Sequence, residues 1–127
     1  MCIRDRLVIA GDNSIGSGEV CAEKLLARKR RPTAIFAAND DMAAGVIRVA
    51  NRMGVDVPGE LSVAGCDDIS LARQIFPSLT TIRQPLSTMA ECATKAIIAA
   101  AKGDLPAGTE IIPAEIRVRE STGPAPQ

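Results

Sequence analysis

The stretch RPTAIFAANDDMAAGVIRVANRMG, residues 31–54, limits what this chain can become more than any other. Pro32 breaks whatever precedes it. Residues 34–38 are continuously apolar, as a strand buried on both faces of a parallel sheet should be. Asp40 then suits a helix N-cap, and Met42, Ala43, Val46, Ile47, Ala50 and Met53 recur at helical spacing on one face before Gly54 stops the helix. A strand followed at once by an amphipathic helix is the repeating unit of an α/β sheet.

The same alternation runs along the rest of the chain. LVIA, residues 7–10, reads as a strand, and GDNSIGSG as a turn-rich loop. Residues 17–28 read as a helix burying Val20, Cys21, Leu25 and Leu26. LSVAG (61–65) and LTTI (79–82) are further strands, with an irregular segment, DDISLARQIFPS, between them. Gln84 or Ser87 is placed to cap the next helix, to about Lys102, with Thr88 and Glu91 as an alternative capping box. Its apolar side is Met89, Cys92, Ala93, Ala96, Ile97 and Ala100. Residues 111–120 should be extended and 123–127 a disordered tail. The expected fold is α/β, three-layer αβα, with a mainly parallel sheet.

Composition narrows the chemistry. The chain has no histidine, which removes the commonest general base and nitrogen ligand and points away from an enzyme and from a metal or other cofactor. Fifteen basic residues balance fifteen acidic ones, so the chain as a whole does not attract nucleic acid. Neither a signal peptide nor a membrane span is legible, and four scattered cysteines suit a reducing, cytoplasmic setting. Arg28, Lys29, Arg30 and Arg31 form a basic run that complements a helix C-terminus more readily than it forms a nucleic-acid patch. The opening MCIRDR sets three charges directly before an apolar run, so residues 1–6 are expected to be foreign to the fold and 1–10 an uncertain start.

In an open parallel sheet, ligands bind beyond the carboxyl ends of the strands. Two strands here end alike: AIFAA in Asn39-Asp40, and SVAG in Cys66-Asp67-Asp68. Either pair of polar residues can be caps and turns, or the rim of a site offering directional hydrogen bonds to a sugar or similar molecule. Adjacent residues on an extended chain diverge, which disfavours a metal at 66–68, and Cys66 has no base beside it to make it a nucleophile.

The ordered motifs PTAIFAAND, MAAG, VPGELSVAGCDD and FPSLTTIRQP resemble the effector-binding core of the LacI/GalR family of bacterial transcriptional regulators, over roughly residues 11–120. The resemblance implies a periplasmic-binding-protein type I-like fold, present in part: residues 11–84 and 103–122 as a C-terminal effector-binding subdomain, and 85–102 as a helix belonging to an N-terminal subdomain otherwise missing. It implies an effector-sensing, dimerising portion of a sugar-responsive regulator whose operator contacts lie in a separate helix-turn-helix domain, with no membrane partner. A solute-binding protein of a sugar transporter is the rival reading. Carried over by position, Asn39 and Asp67 match effector contacts, and Gln84 a cleft-lining hinge residue. Asn13 stands where many members place an aromatic ring, and Cys66 where they carry Phe or Tyr. The implied dimer surface comprises Ala44, Ile47 and Arg48 with Leu71, Ile75 and Phe76; for Ile75 and Phe76 an ordinary core role stands equally open.

Overall fold

Ser14 begins the first helix. Its hydroxyl accepts from the Ser17 amide (3.1 Å), while Asp12 accepts from the Ser14 amide (2.9 Å) and hydroxyl (2.5 Å). Helix α1 therefore runs Ile15–Leu26, starting earlier than the apolar pattern alone suggests. Cys21, Leu25 and Leu26 are buried as expected, but Val20 is half exposed. The hydroxyls of Ser14 and Ser17 hold the Asp12 carboxyl down to about 2. Ser14→Ala is expected to cost about 1 kcal/mol of stability, the usual value of an N-cap, read as a shift in the urea midpoint.

The computed structural model describes residues 7–104 and 108–126; the expected foreign start at 1–6 lies outside the described residues. Four strands follow one another across one sheet in the order β1-β2-β3-β4: β1 Ala34–Phe36, β2 Ser62–Cys66, β3 Thr80–Arg83 and β4 Glu115–Arg117. The first three are parallel and β4 is antiparallel to β3, with Phe36 beside Ala64, Ala64 beside Thr80, and Ile82 beside Ile116. Helix α2 (Asp40–Arg52) lies on the face of Val63 and Gly65: a Cβ added at Gly65 would stand 3.2 Å from that of Ala43. Helix α1 packs on α2, so both cover the same face, with Leu61, Val63 and Leu79 fully buried beneath them.

Two strand expectations need correction. Residues 8–10 form no strand; Ile9 packs against the core and the Ala10 carbonyl accepts from the Cys21 thiol (3.5 Å), but no ladder forms. β1 is consequently an edge among the described residues, and Phe36, on the face away from α2, is 63% exposed rather than buried. Ile116 on that same face is 66% exposed. The described residues thus form the expected α/β arrangement, a mainly parallel sheet with α1 and α2 as a helical layer on one face.

Helix α3 (Leu71–Gln74) is a single turn within the segment expected to be irregular. Helix α4 (Leu86–Ala101) follows Pro85, which occupies the cap position with no side-chain hydrogen bond; neither the Gln84 or Ser87 cap nor the Thr88–Glu91 box forms. None of its residues is buried, the expected apolar stripe included, and Ile97 is 70% exposed. Its alanine-rich sequence supports helix by propensity, but a helix of this length standing without tertiary packing is marginal. Gly123, expected in a loose tail, exchanges hydrogen bonds with the Ser62 hydroxyl. No described helix is long and apolar enough to cross a membrane.

Candidate functional site

The carboxyl ends of β1 and β2 lie side by side, since Phe36 pairs with Ala64 and the Ala37 amide donates to the Ala64 carbonyl (2.8 Å). Asn39, not Asp40, caps α2. Its backbone is extended (φ −148°, ψ 175°), and its side-chain oxygen accepts from the Met42 amide (2.9 Å). Its Nδ2 donates to the Asn13 carbonyl (2.9 Å). Asn13 is in the left-handed region (φ 69°), which Asn tolerates better than most residues, and its side chain is exposed. Asn39 is thus fixed at both ends, with one N–H and one lone pair left for a ligand.

At the end of β2 the chain turns through two successive left-handed residues, Asp67 (φ 115°) and Asp68 (φ 52°). Such conformations cost roughly 1–3 kcal/mol each for residues with a Cβ and mark sites the surroundings hold in place. Asp67 is exposed; its amide donates to the Ile82 carbonyl (2.8 Å), and its carboxylate accepts from Gln84 Nε2 (2.7 Å). Of the four residues expected at an effector site, Asn39 thus meets the Asn13 backbone and Gln84 meets Asp67. Gln84 stands between β3 and α4 and lines an open hollow of about 220 Å³ with Arg83, Pro85, Pro113, Glu115 and Arg117. That is below the usual 300–1,000 Å³ of a small-molecule site, as suits one wall of a cleft.

Cys66 lies under this rim at 3.7 Å from Gln84 Nε2. Burial and the Asp67 charge push its thiol pKa up, the opposite of what a nucleophile needs. Asp67 and Asp68 point to different partners, so their carboxylates do not converge.

Two acids carry more of the architecture than the sequence discloses. Asp40, 1% exposed, turns inward from the first turn of α2: Oδ1 accepts from the Thr81 hydroxyl (2.5 Å) and Oδ2 from the Ile69 amide (2.9 Å). Burial, aided by the charges of Asp67 and Asp68, raises its pKa against those hydrogen bonds. Asp68, with a side chain 2% exposed, accepts from Arg119, while Arg73 (3.9 Å) and Arg83 (3.8 Å) flank its other oxygen. Burial alone would raise its pKa, but the Arg119 hydrogen bond and the three cations outweigh this and hold it low. The doubled acid after SVAGC is the one sequence signal of the Asp68 role.

The residues expected on a dimer surface divide. Ala44 and Ile47 are 4% and 2% exposed, because α2 packs against both α1 and the sheet, so they are core and not surface. Arg48 is exposed and pairs with Glu19 (3.1 Å); Leu71 and Ile75 are half-buried and Phe76 is 83% exposed. Arg28 to Arg30 lie beyond the end of α1 and are exposed, and Arg31 pairs with Glu60.

The periplasmic binding protein-like domain model matches residues 3–122. The chain belongs to the periplasmic binding protein-like family. Over 97 residues it is 45% identical to the HTH-type transcriptional regulator GalR of Escherichia coli, covering 76% of this chain but 28% of that protein's length. A LacI family transcriptional regulator from Bifidobacterium animalis superposes with a TM-score of 0.86 at 30% identity, over 92% of this chain and 43% of the other. A second regulator of that family, from Enterococcus faecium, was solved with bound ribose (TM-score 0.74, 28% identity, 92% and 42% covered). Within the periplasmic binding protein-like family, this chain matches the sensor region of LacI-family regulators and spans about a quarter to a half of their length.

Proposed function

We propose that this chain is the effector-sensing and dimerising portion of a cytoplasmic, sugar-responsive transcriptional regulator, not an enzyme, whose operator contacts are made by a separate DNA-binding domain. The observation that carries the reading is the Asp67–Gln84 hydrogen bond. It joins the end of β2 to the connection leading into α4. On this reading residues 11–84 and 103–122 form one subdomain, and 85–102 packs on a second; the absence of any buried residue in α4 supports this. A sugar between the two subdomains takes hydroxyl contacts from Asp67 and Asn39, with Gln84 and Asn13 beside them. Where ligand favours one arrangement of the subdomains, the population shifts with it. Arg48, Leu71, Ile75 and Phe76 remain as the accessible part of a dimer surface.

Identity to a transcriptional regulator over three quarters of the chain favours this over a transporter's solute-binding protein. The test is calorimetry on the protein carrying this chain, titrated with neutral monosaccharides. Asp67→Ala is expected to weaken binding at least about tenfold, since a hydrogen bond to a charged acceptor is worth roughly 1.5–3 kcal/mol. Its thermal transition should stay within a few degrees of the parent's. Unchanged affinity in the variant removes Asp67 from the site.

A further inference from the structure

We propose that Arg119 and Asp68 form a clamp that positions the Asp67 carboxylate on the rim, a role that rests on reading Asp67 as an effector contact. The starting point is the pair of left-handed residues at 67 and 68. Two such residues in succession cost free energy even for Asp, which tolerates the left-handed region better than most, so contacts around the turn are needed to hold it.

The holding contacts are on both sides of the turn. Arg119 is fixed by β3 before it meets the acid: its amide donates to the Thr80 hydroxyl (2.8 Å), and Nη1 donates to the Leu79 carbonyl (2.7 Å). The other arm of the same guanidinium, Nη2, donates to Asp68 Oδ1. One planar fork thus spans the start of β3 and the end of β2, which the point charge of a lysine cannot reproduce. Beyond the turn the Ile69 amide is fastened to Asp40, and before it the Asp67 amide is fastened to Ile82. With residue 68 drawn inward, residue 67 is left turned outward, within 2.7 Å of Gln84. Neither Arg119 nor Asp68 touches a ligand on this account; both act through Asp67.

A purely structural role, fastening the segment after β4 to the sheet, would leave the Asp67–Gln84 contact intact once the fold is intact. The side-chain amide of Gln84 separates the two, because its NMR position and exchange rate report that hydrogen bond. In the whole chain, Arg119→Met is expected to keep a cooperative thermal transition but to lose the bonded Gln84 amide signal, with Arg119→Lys restoring it in part. Asp68→Asn, which keeps the side-chain volume, should lose the same signal and serves where Arg119→Met does not fold. A folded variant of either kind with an unshifted Gln84 amide overturns the clamp. Adding D-ribose or D-galactose at millimolar concentration tests the underlying reading separately. In the protein carrying this chain, with the second subdomain present, sugars that move none of the Asn39, Asp67 and Gln84 signals overturn the effector site and leave the clamp standing. Sugar-induced shifts that Arg119→Met reproduces at equal concentration overturn the clamp and leave the site.

Discussion

Gly45→Ala is expected to destabilise the chain by about 3 kcal/mol, a large part of the roughly 5–15 kcal/mol by which domains are stable. A Cβ at residue 45 would stand 2.3 Å from the Ile15 carbonyl oxygen and 2.8 Å from the Glu19 nitrogen. Both are backbone atoms of α1, so no side-chain rotation relieves the clash and the two helices must part. Gly18 faces the reverse problem, 2.4 Å from the Met42 carbonyl oxygen. Alanine is the better helix former by about 1 kcal/mol, but prising apart a pair that buries Cys21, Ala22, Val46 and Val49 outweighs it. Gly16→Ala supplies the control within α1. Its nearest neighbour would be Ser14 Oγ at 3.9 Å, so only the propensity gain remains and stability should rise by about 0.5–1 kcal/mol. Urea midpoints at constant m measure both; opposite signs at the two glycines are the expected result, and a neutral Gly45→Ala overturns the close-crossing account.

Asp40→Ala should cost about 3 kcal/mol as well, for a polar reason. It removes two charge-assisted hydrogen bonds worth roughly 1.5–3 kcal/mol each and leaves the buried Thr81 hydroxyl without its acceptor, offset in part by the relief of a buried charge. Asp40→Asn isolates the charge, because an amide of the same shape can accept from Ile69 and donate to Thr81 Oγ1. Burial raises the folded-state pKa of Asp40, so between the ordinary carboxylate range and that raised value the native state binds more protons than the unfolded chain. The Asp40 contribution to stability therefore falls as pH rises through that window. The asparagine variant lacks this titration. Relative to it, the unmodified chain should gain stability as pH is lowered through the window, while the low-pKa acids Asp12 and Asp68 are common to both and cancel. A pH-independent difference would mean that folding leaves the Asp40 pKa where it stands in the unfolded chain.

Much of α2 was legible because its signals are local. The apolar positions at helical spacing, the polar residues at its start and Gly54 at its end act within a few residues, and the helix found is Asp40–Arg52. The cap was misplaced by one residue because Asn and Asp are equally good caps in isolation. What chose between them was across the sheet: the Thr81 hydroxyl and the Ile69 amide are donors that draw a carboxylate inward, leaving Asn39 to take the extended cap position. Residues 7–10 misled for a related reason. An apolar run has strand character, but a strand requires a partner, and among the described residues none pairs there.

The sequence by itself determined the type and order of the main elements and brought polar residues to the ends of two neighbouring strands, since hydrophobic period and turn chemistry operate over a turn of chain. Only the tertiary structure decided which of three closely spaced acids faces solvent. Asp40 and Asp68 go inward because donors from residues up to 51 positions away meet them there, and Asp67 is what remains on the rim.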